Sequence, residues 1–352
     1  MLALTLWPGT VGVGVPVSIA DEIEAAGRLE ELQRTCVRLQ RQLASAKNGR
    51  EDMIDAVFRA ARDAALVVGR SVPVSVPPKD KRRKGIEAGL LHLTDWQLGK
   101  ETESYSSDIC EERVGRAVAI ASKLAAIQRE DHPVPCCHVM LGGDLVENVA
   151  TFPLQAFEVD STIFEQVFRA AALVQRSVLT LLSEFETVEV WEVAGNHGRI
   201  GRKGDYPRND NFDRIVGRIA RENLAGEKRL TWHIPTSWYE IVSVGNYRAL
   251  LVHGDQIKAF GGNVPHYGIS KAANAWASGV VEPFDDLYLG HMHQVLQTTL
   301  AGGGRAFMTG STESSSEYAR EFMRAKGSPS QRMHFVDLKR GRVTAEYVLW
   351  LD

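Results

Sequence analysis

Cysteine, cationic excess and long apolar runs are all scarce in this sequence, and each scarcity removes a class of protein. The four cysteines (Cys36, Cys110, Cys136 and Cys137) form no Cys-x-x-Cys pair and no regular spacing. That argues against a zinc knuckle or a disulfide framework and suits a reducing compartment. Lysine and arginine (41) do not outnumber aspartate and glutamate (44), giving a formal charge of −3. No global basic surface announces nucleic acid, so any such surface must be local. No stretch approaches the roughly 20 apolar residues of a membrane span. The N-terminal MLALTLWPGTVGVGVPVSIA is apolar and ends in a small-x-small triplet, but it lacks Lys or Arg and is broken by Pro8, Gly9, Gly12, Gly14 and Pro16. Export is therefore not expected, and a cytoplasmic location is.

What is present is an ordinary globular composition, with 44% hydrophobic and 24% charged residues in 352, enough chain to bury a sizeable core. After the extension of residues 1–20, residues 21–70 read as a helical arm. Leu29, Leu32, Cys36, Leu39, Leu43 and Ala46 follow alternating steps of three and four over about two to three heptads. Either a short coiled coil, with a homo-oligomer formed through these helices, or an amphipathic helix packed on its own domain would give this pattern. A second helical stretch keeps Ile54, Val57, Phe58, Ala61 and Ala65 on one side. Residues 71–86 contain three prolines and the cluster Lys79 to Lys84, where five cations face Asp80. This reads as an exposed basic linker and a domain boundary.

From residue 87 to 352 the pattern is that of one catalytic-sized domain. Short apolar runs alternate with helical periodicity at about 107–129, 155–184 and 211–222, which implies parallel strands with helical crossovers. Beyond these, WYEIVSV, YRALLVHGD, DLYLGH, RAFMTGS, MHFVDL and RVTAEYVLWL are consecutive strand candidates. An α/β fold with two stacked sheets flanked by helices accommodates both halves.

The apolar runs share a habit: each ends in a residue able to hold a metal. Asp95 closes the first (LLHLTDWQLGK), Asp144 the second (GGDLVEN), Asn196 and His197 the third (AGNHGR), His253 a later one (LVHGD), and His291 with His293 the next (LGHMH). Strand C-termini are where α/β sheets bind ligands, so tips dispersed in sequence can converge in space. Oxygen and imidazole donors without thiolate suit Mn²⁺, Fe or Zn²⁺ in a working site rather than a structural zinc.

The ordered set DWQ, GDLVEN, GNH, VHGD and GHMH resembles the calcineurin-like metallophosphoesterases. The TDWQLGK opening is similar in particular to the nuclease subunit of SbcC and SbcD type repair complexes and to related phage proteins. The resemblance spans about residues 88–320 and implies a four-layer α/β/β/α sandwich with a dinuclear centre. It places Asp95, Gln97, Asp144 and His293 on one ion and Asp144, Asn196, His253 and His291 on the other, with Asp144 bridging. It further implies that the ions clamp a phosphate and supply hydroxide for in-line attack, while His197 serves as general acid or stabilises the charged phosphate. The family usually has His where this chain has Gln97. A neutral amide oxygen is a weaker donor, so a loosely held first ion and a preference for Mn²⁺ over Zn²⁺ are expected. The family also commonly has an acidic residue after GNH, where this chain has Gly198; Asp205 or Asp255 is the expected substitute.

GDLVENV lacks the arginine with which the superfamily's phosphoprotein phosphatases grip a monoester, which favours a diester. The loop GRIGRKGDYPRND supplies Arg199, Arg202 and Lys203, and also Arg208, for the flanking phosphates of DNA. Tyr318, Arg320, Phe322 and Arg324 form a second candidate strand path, and Trp96 either stacks on a base or is buried. A metal-dependent DNA exo- or endonuclease is the leading expectation. The chain ends at Asp352 without room for the capping segments of the repair nucleases, which weighs against an ATPase partner. Two alternatives stand beside it. A small-molecule diesterase or pyrophosphatase would show a compact pocket, and a non-catalytic interaction module would fail to bind Mn²⁺.

Overall fold

The computed structural model describes residues 74–152, 155–201, 203–234, 237–258, 265–313 and 328–352. The expected N-terminal extension and helical arm, Arg202, and the path through Tyr318, Arg320, Phe322 and Arg324 lie outside them. Residues 74–85 carry no helix or strand. Arg82, from the basic cluster, pairs with Asp80 at 2.7 Å and donates to the carbonyls of Arg129 (2.6 Å) and Glu130 (3.2 Å).

Strand β1 (Glu87–Leu93) is buried along its whole length, as the unbroken apolar run requires of a strand covered on both faces. It pairs in parallel with β2 (Cys136–Leu141), which pairs in parallel with β3 (Thr187–Glu192) and that with the short β4 (Leu230–Trp232). On its other side β1 meets β10 (Ser330–Asp337) and then β11 (Arg342–Trp350), both pairings antiparallel. The second sheet runs β5 (Tyr239–Val244), β6 (Tyr247–Val252), β7 (Asp286–Leu289), β9 (Arg305–Met308) and β8 (Leu296–Thr299).

The sheets pack face to face, and strand alternation shows it directly. Ala249 and Leu251 of β6, Tyr288 of β7 and Phe307 of β9 share a buried cluster with Ala88, Leu90, Met140 and Trp191 of the first sheet. Their neighbours Leu250, Val252, Leu287, Leu289, Ala306 and Met308 point the other way, into a second cluster with Ile269 and Ala273 of helix α4 (His266–Ala275). Period-two alternation thus feeds two separate cores from one sheet. Helices α1 (Ser107–Gln128) and α2 (Ile163–Glu184) pack on the outer face of the first sheet, and α3 (Phe212–Asn223) packs beside α2. The result is an α/β/β/α sandwich.

Helix α2 starts later than the periodicity suggests. Residues Gln155–Phe157 form a separate 3₁₀ turn, and Thr162 opens α2 in a capping box, with Glu165 N donating to Thr162 Oγ1 (3.3 Å) and Thr162 N to Glu165 Oε2 (2.8 Å). That exchange satisfies two helix-end groups and fixes the start. Strands β4 and β8 and helix α4 are not anticipated by the pattern. Only Ile269 and Ala273 of α4 are buried, too few for a clear stripe.

Two buried carboxylates sit where α3 meets the first sheet. Asp213, capped from Asn211 Oδ1 (2.8 Å), accepts backbone N–H groups from Asp144 (2.9 Å), Leu145 (3.0 Å) and Gly195 (2.8 Å). It joins the loops that follow β2 and β3. Glu192, at the end of β3, lies in space that Gly217 leaves open; a Cβ there would meet Glu192 Oε2 at 1.9 Å. Burial pushes its carboxyl up to about 8, although Arg214, Arg221 and Trp232 pull the other way.

Removing the three-fold acceptor in Asp213→Ala leaves buried donors unsatisfied and should cost about 3 kcal/mol of stability in urea denaturation. Asp213→Asn, which retains one acceptor oxygen, should lose less. The folded-state pKa of Glu192 lies above its ordinary value of 4.5. The stability it contributes is therefore complete below that value and declines as pH rises toward about 8, at up to about 1.4 kcal/mol per pH unit. Glu192→Gln should flatten this decline, gaining stability on wild type at pH 8 relative to pH 5, as measured by urea denaturation with chelator present.

Candidate metal centre

All the sequence-selected strand tips meet at one edge of the sandwich. Among the described residues, six that are not glycine have positive φ: Asp95 (53°), Gln97 (44°), Asp144 (52°), Asn148 (76°), His291 (69°) and His293 (53°). Left-handed backbone is uncommon outside glycine and persists only where the surroundings impose it. Five of these six are the residues selected above as metal ligands. The sharp turns bend each chain out of its strand so that the side chain faces its neighbours across the tips. Glycines make the approach close enough: a Cβ at Gly195 would lie 2.0 Å from Asp144 Oδ1, and one at Gly290 would lie 2.1 Å from Asp95 Oδ2.

Around Asp144 the atoms facing one another are acceptors. His253 Nδ1 sits 2.8 Å from the carbonyl of Gly142, to which it donates, so Nε2 is the nitrogen left to carry either a proton or a metal. That Nε2 lies 2.9 Å from Asn196 Oδ1 and 3.0 Å from Asp144 Oδ2. Although near, Asp144 Oδ2 is misaligned for a hydrogen bond and has no other partner. Only a cation at this point, a proton or a metal, relieves three converging acceptors. The ring of His291 stands 5.1 Å from that of His253, and one ligand atom from each of Asp144, His253 and His291 falls within 4.8 Å of the others. Burial opposes charge on both partners, yet their attraction prevails. Asp144 is held far below the usual carboxylate range, and His253 is raised to about 10. His291 is pushed down to about 4 by burial and the neighbouring His253.

The second group forms around Asp95. Its two oxygens accept from His291 N (3.0 and 2.9 Å), Oδ2 also accepts from Thr94 Oγ1 (2.7 Å), and His293 Nε2 lies 3.4 Å from Oδ1. Gln97 Nε2 lies 3.1 Å from His197 Nε2 and 3.3 Å from His293 Nε2. Its Oε1 is buried without a partner. Behind His293, Glu313 Oε2 is 3.6 Å from Nδ1 and the same carboxylate pairs with buried Lys100 at 3.0 Å.

The carboxylate that faces His197 is Glu147, where Asp205 or Asp255 was expected. Glu147 Oε2 lies 3.0 Å from His197 Nδ1, and Asp255 pairs with Arg199. No acidic side chain could follow His197, because a Cβ at Gly198 would meet Asn211 Oδ1 at 2.3 Å. Burial disfavours the imidazolium of His197, but Glu147 and Asp144 outweigh it and bring the group up to about 9. Two further residues, absent from the sequence reading as site residues, hold this loop. Asn148 Nδ2 donates to the carbonyls of His197 (2.8 Å) and Arg199 (2.6 Å), and Gln155 Nε2 donates to Glu147 O (2.6 Å).

Trp96 is fully buried, so it does not stack on a base. Arg199, Lys203, Tyr206, Arg208 and Asp255 line a cavity of about 220 Å³ that also touches Gly195. Arg208 lies 4.0 Å from Asp255, so this carboxylate draws on both arginines. Among the described residues no helix is long and apolar enough to cross a membrane.

No family model and no curated protein matches the chain. Solved structures similar to it include a dimetal phosphatase from Danio rerio (12% identity over 76% of this chain and 99% of that one, TM-score 0.34). Others are wild-type Vps29 complexed with Zn²⁺ from Entamoeba histolytica (13% identity, 74% and 99%, TM-score 0.32) and a predicted phosphoesterase from Streptococcus pneumoniae (10% identity, 74% and 98%, TM-score 0.31). The sandwich rests on its own strand order and cores, not on these likenesses.

Proposed function

We propose that the chain is a metal-dependent phosphodiester hydrolase and that its substrate is DNA. The observation that carries this reading is the convergence of Asp144 Oδ2, Asn196 Oδ1 and His253 Nε2 within about 3 Å, together with a second buried oxygen without a partner, Gln97 Oε1. This donor set fits a divalent ion. In the proposed centre Asp144, Asn196, His253 and His291 hold one ion, and Asp95, Gln97, His293 and Asp144 hold the other. Bound ions would supply Lewis acidity toward the phosphate and acidify water, with Mn²⁺ favoured and Fe or Zn²⁺ also suited to these donors.

The chain's own groups account for the rest. His197, 16% exposed at its side chain, gives its proton to the departing oxygen. The Glu147 carbonyl lies 3.3 Å from Nδ1 and accepts from it, and its carboxylate, 3.0 Å from the same nitrogen, stabilises the imidazolium until transfer. The diester preference follows from Glu147 itself. At the place where phosphoprotein phosphatases carry a phosphate grip, the Glu147 carboxylate turns toward His197, and Asn148 is spent on backbone carbonyls. Lys203 and Arg208 beside the cavity favour a polyanion. The Arg199–Asp255 pair weakens that charge, however, and a cavity of about 220 Å³ takes part of a nucleotide rather than a strand. A small-molecule diester is therefore the second reading.

The deciding assay is Mn²⁺-dependent hydrolysis of end-labelled single- and double-stranded DNA beside an aryl phosphodiester. DNA cleavage that Asp144→Asn reduces by at least three orders of magnitude supports the nuclease. Cleavage of the aryl ester alone removes the DNA claim and leaves the small-molecule reading. Loss of Mn²⁺ binding in calorimetric titration of wild type would sink both. Gln97→His should bind Zn²⁺ more tightly, on the order of tenfold or about 1.4 kcal/mol in the same titration.

A further inference from the structure

The connection between β2 and α2 carries an aromatic ring that the chemistry above does not use. Phe152 keeps 42% of its surface in water, yet it lies against the imidazole of His197, with ring centroids 4.8 Å apart and planes tilted by 54°. Scattered exposed apolar side chains are ordinary. This one differs in being held in place by buried polar groups.

Phe152 N and Thr151 N both donate to Gln155 Oε1, at 3.1 and 2.9 Å. Thr151 Oγ1 donates toward the carbonyls of His197 (3.0 Å) and Arg199 (3.2 Å), the two that Asn148 Nδ2 also binds. The segment bearing Phe152 and the segment bearing His197 are thus tied into one piece. Core packing does not explain the ring, because much of its surface stays wet. A hydrogen-bonding role is excluded for phenylalanine. What remains is a fixed, partly exposed ring beside the group that protonates the leaving oxygen, in a segment tied to Arg199 of the cavity lining.

Resting on the nuclease reading, we propose that Phe152 is a stacking platform for the base of the nucleotide on the leaving-group side, and that this base must be unpaired to reach it. Base–aromatic stacking contributes roughly 1–3 kcal/mol per base and tolerates any sequence. A base within a duplex is already stacked and has to be extruded first, at a cost of a few kcal/mol. The ring therefore selects single strands and frayed ends over intact duplex without reading sequence.

A two-by-two kinetic cycle with Mn²⁺-loaded full-length protein tests this. Wild type and Phe152→Ala are each given a single-stranded oligonucleotide with either a normal base or an abasic residue on the leaving-group side of the cleaved bond. Phe152→Ala should lower kcat/KM about tenfold on the normal strand, and Phe152→Tyr should restore it. The abasic residue should lower wild type by a similar factor and Phe152→Ala by no more than twofold. A second readout needs no turnover. In an uncleavable phosphorothioate strand, 2-aminopurine at that position should be quenched on binding wild type and not on binding Phe152→Ala. If Phe152→Ala loses the same factor on normal and abasic strands, the ring only packs on His197, and the platform is overturned while the nuclease stands. If wild type hydrolyses an aryl diester and no DNA, the nuclease reading and the platform fall together.

Discussion

The carboxylate of Asp213 is the point at which the loops after β2 and β3 are fastened together. It accepts one N–H from Asp144, one from Leu145 and one from Gly195, so two tips from neighbouring parallel strands are set relative to each other by a single side chain. Everything proposed for the centre depends on that spacing. Asp144 is fixed in a left-handed conformation, and its Oδ1 takes the N–H of His197 at 2.7 Å. The loop of His197 then anchors Asn148, Thr151 and Phe152. The acceptor is rooted in the first turn of α3, and α3 packs on α2. A buried carboxylate thus converts helix packing into the position of a side chain several residues away. Left-handed turns outside glycine are unfavourable one by one, and a network that satisfies their backbone donors from beneath is what lets several coexist.

Charge is the second constraint. Asp95, Asp144, Glu147, Asp213 and Glu313 are all buried at this edge, and carboxylates gathered in low dielectric require compensation. Some of it is visible. Lys100 neutralises Glu313, and His197 as imidazolium answers Glu147. Asp213, surrounded by N–H donors, is still pushed up to about 6 by burial and by Asp144. Asp95 and Asp144 have no lysine or arginine ion pair among the described residues; their nearest ionisable partners are the histidines His293 and His253. A divalent ion at each group would supply the missing positive charge, which is why the electrostatics and the donor geometry favour the same reading.

Much of this was legible in the sequence because strand tips advertise themselves. An apolar run that stops at Asp, Asn or His leaves a period-two pattern with a chemically conspicuous end, and Asp95, Asp144, Asn196, His253, His291 and His293 all announce themselves in this way. The parallel crossovers through α1 and α2 were legible for the same reason, as 3.6-residue stripes between those runs, and α3 was legible as a helix though not the strand it leads to. The supporting residues were not. Asp213 stands in NFDRIV as an ordinary first-turn acid, and nothing local says that it faces another loop. Glu147 could be read only as the absence of an arginine, since its contact with His197 spans 50 positions. Helix α4 and strand β8 bury too few side chains to leave a stripe or an alternation.

Gln97 shows why a departure from a familiar motif need not be a lost ligand. An imidazole has two nitrogens on opposite sides of a ring, so one donor and one acceptor cannot serve the same small space. A primary amide can do so. Its nitrogen carries two hydrogens, and in this fold Nε2 reaches His197 at 3.1 Å and His293 at 3.3 Å, while Oε1, on the same carbon, remains buried with nothing to accept from. In the proposed centre that oxygen faces the weaker ion, and the nitrogen donates to His197 Nε2 when that nitrogen holds a lone pair, the state the ring reaches once its proton has gone to the leaving oxygen. The exchange gives up donor strength toward the proposed ion and gains a direct contact between Gln97 and His197.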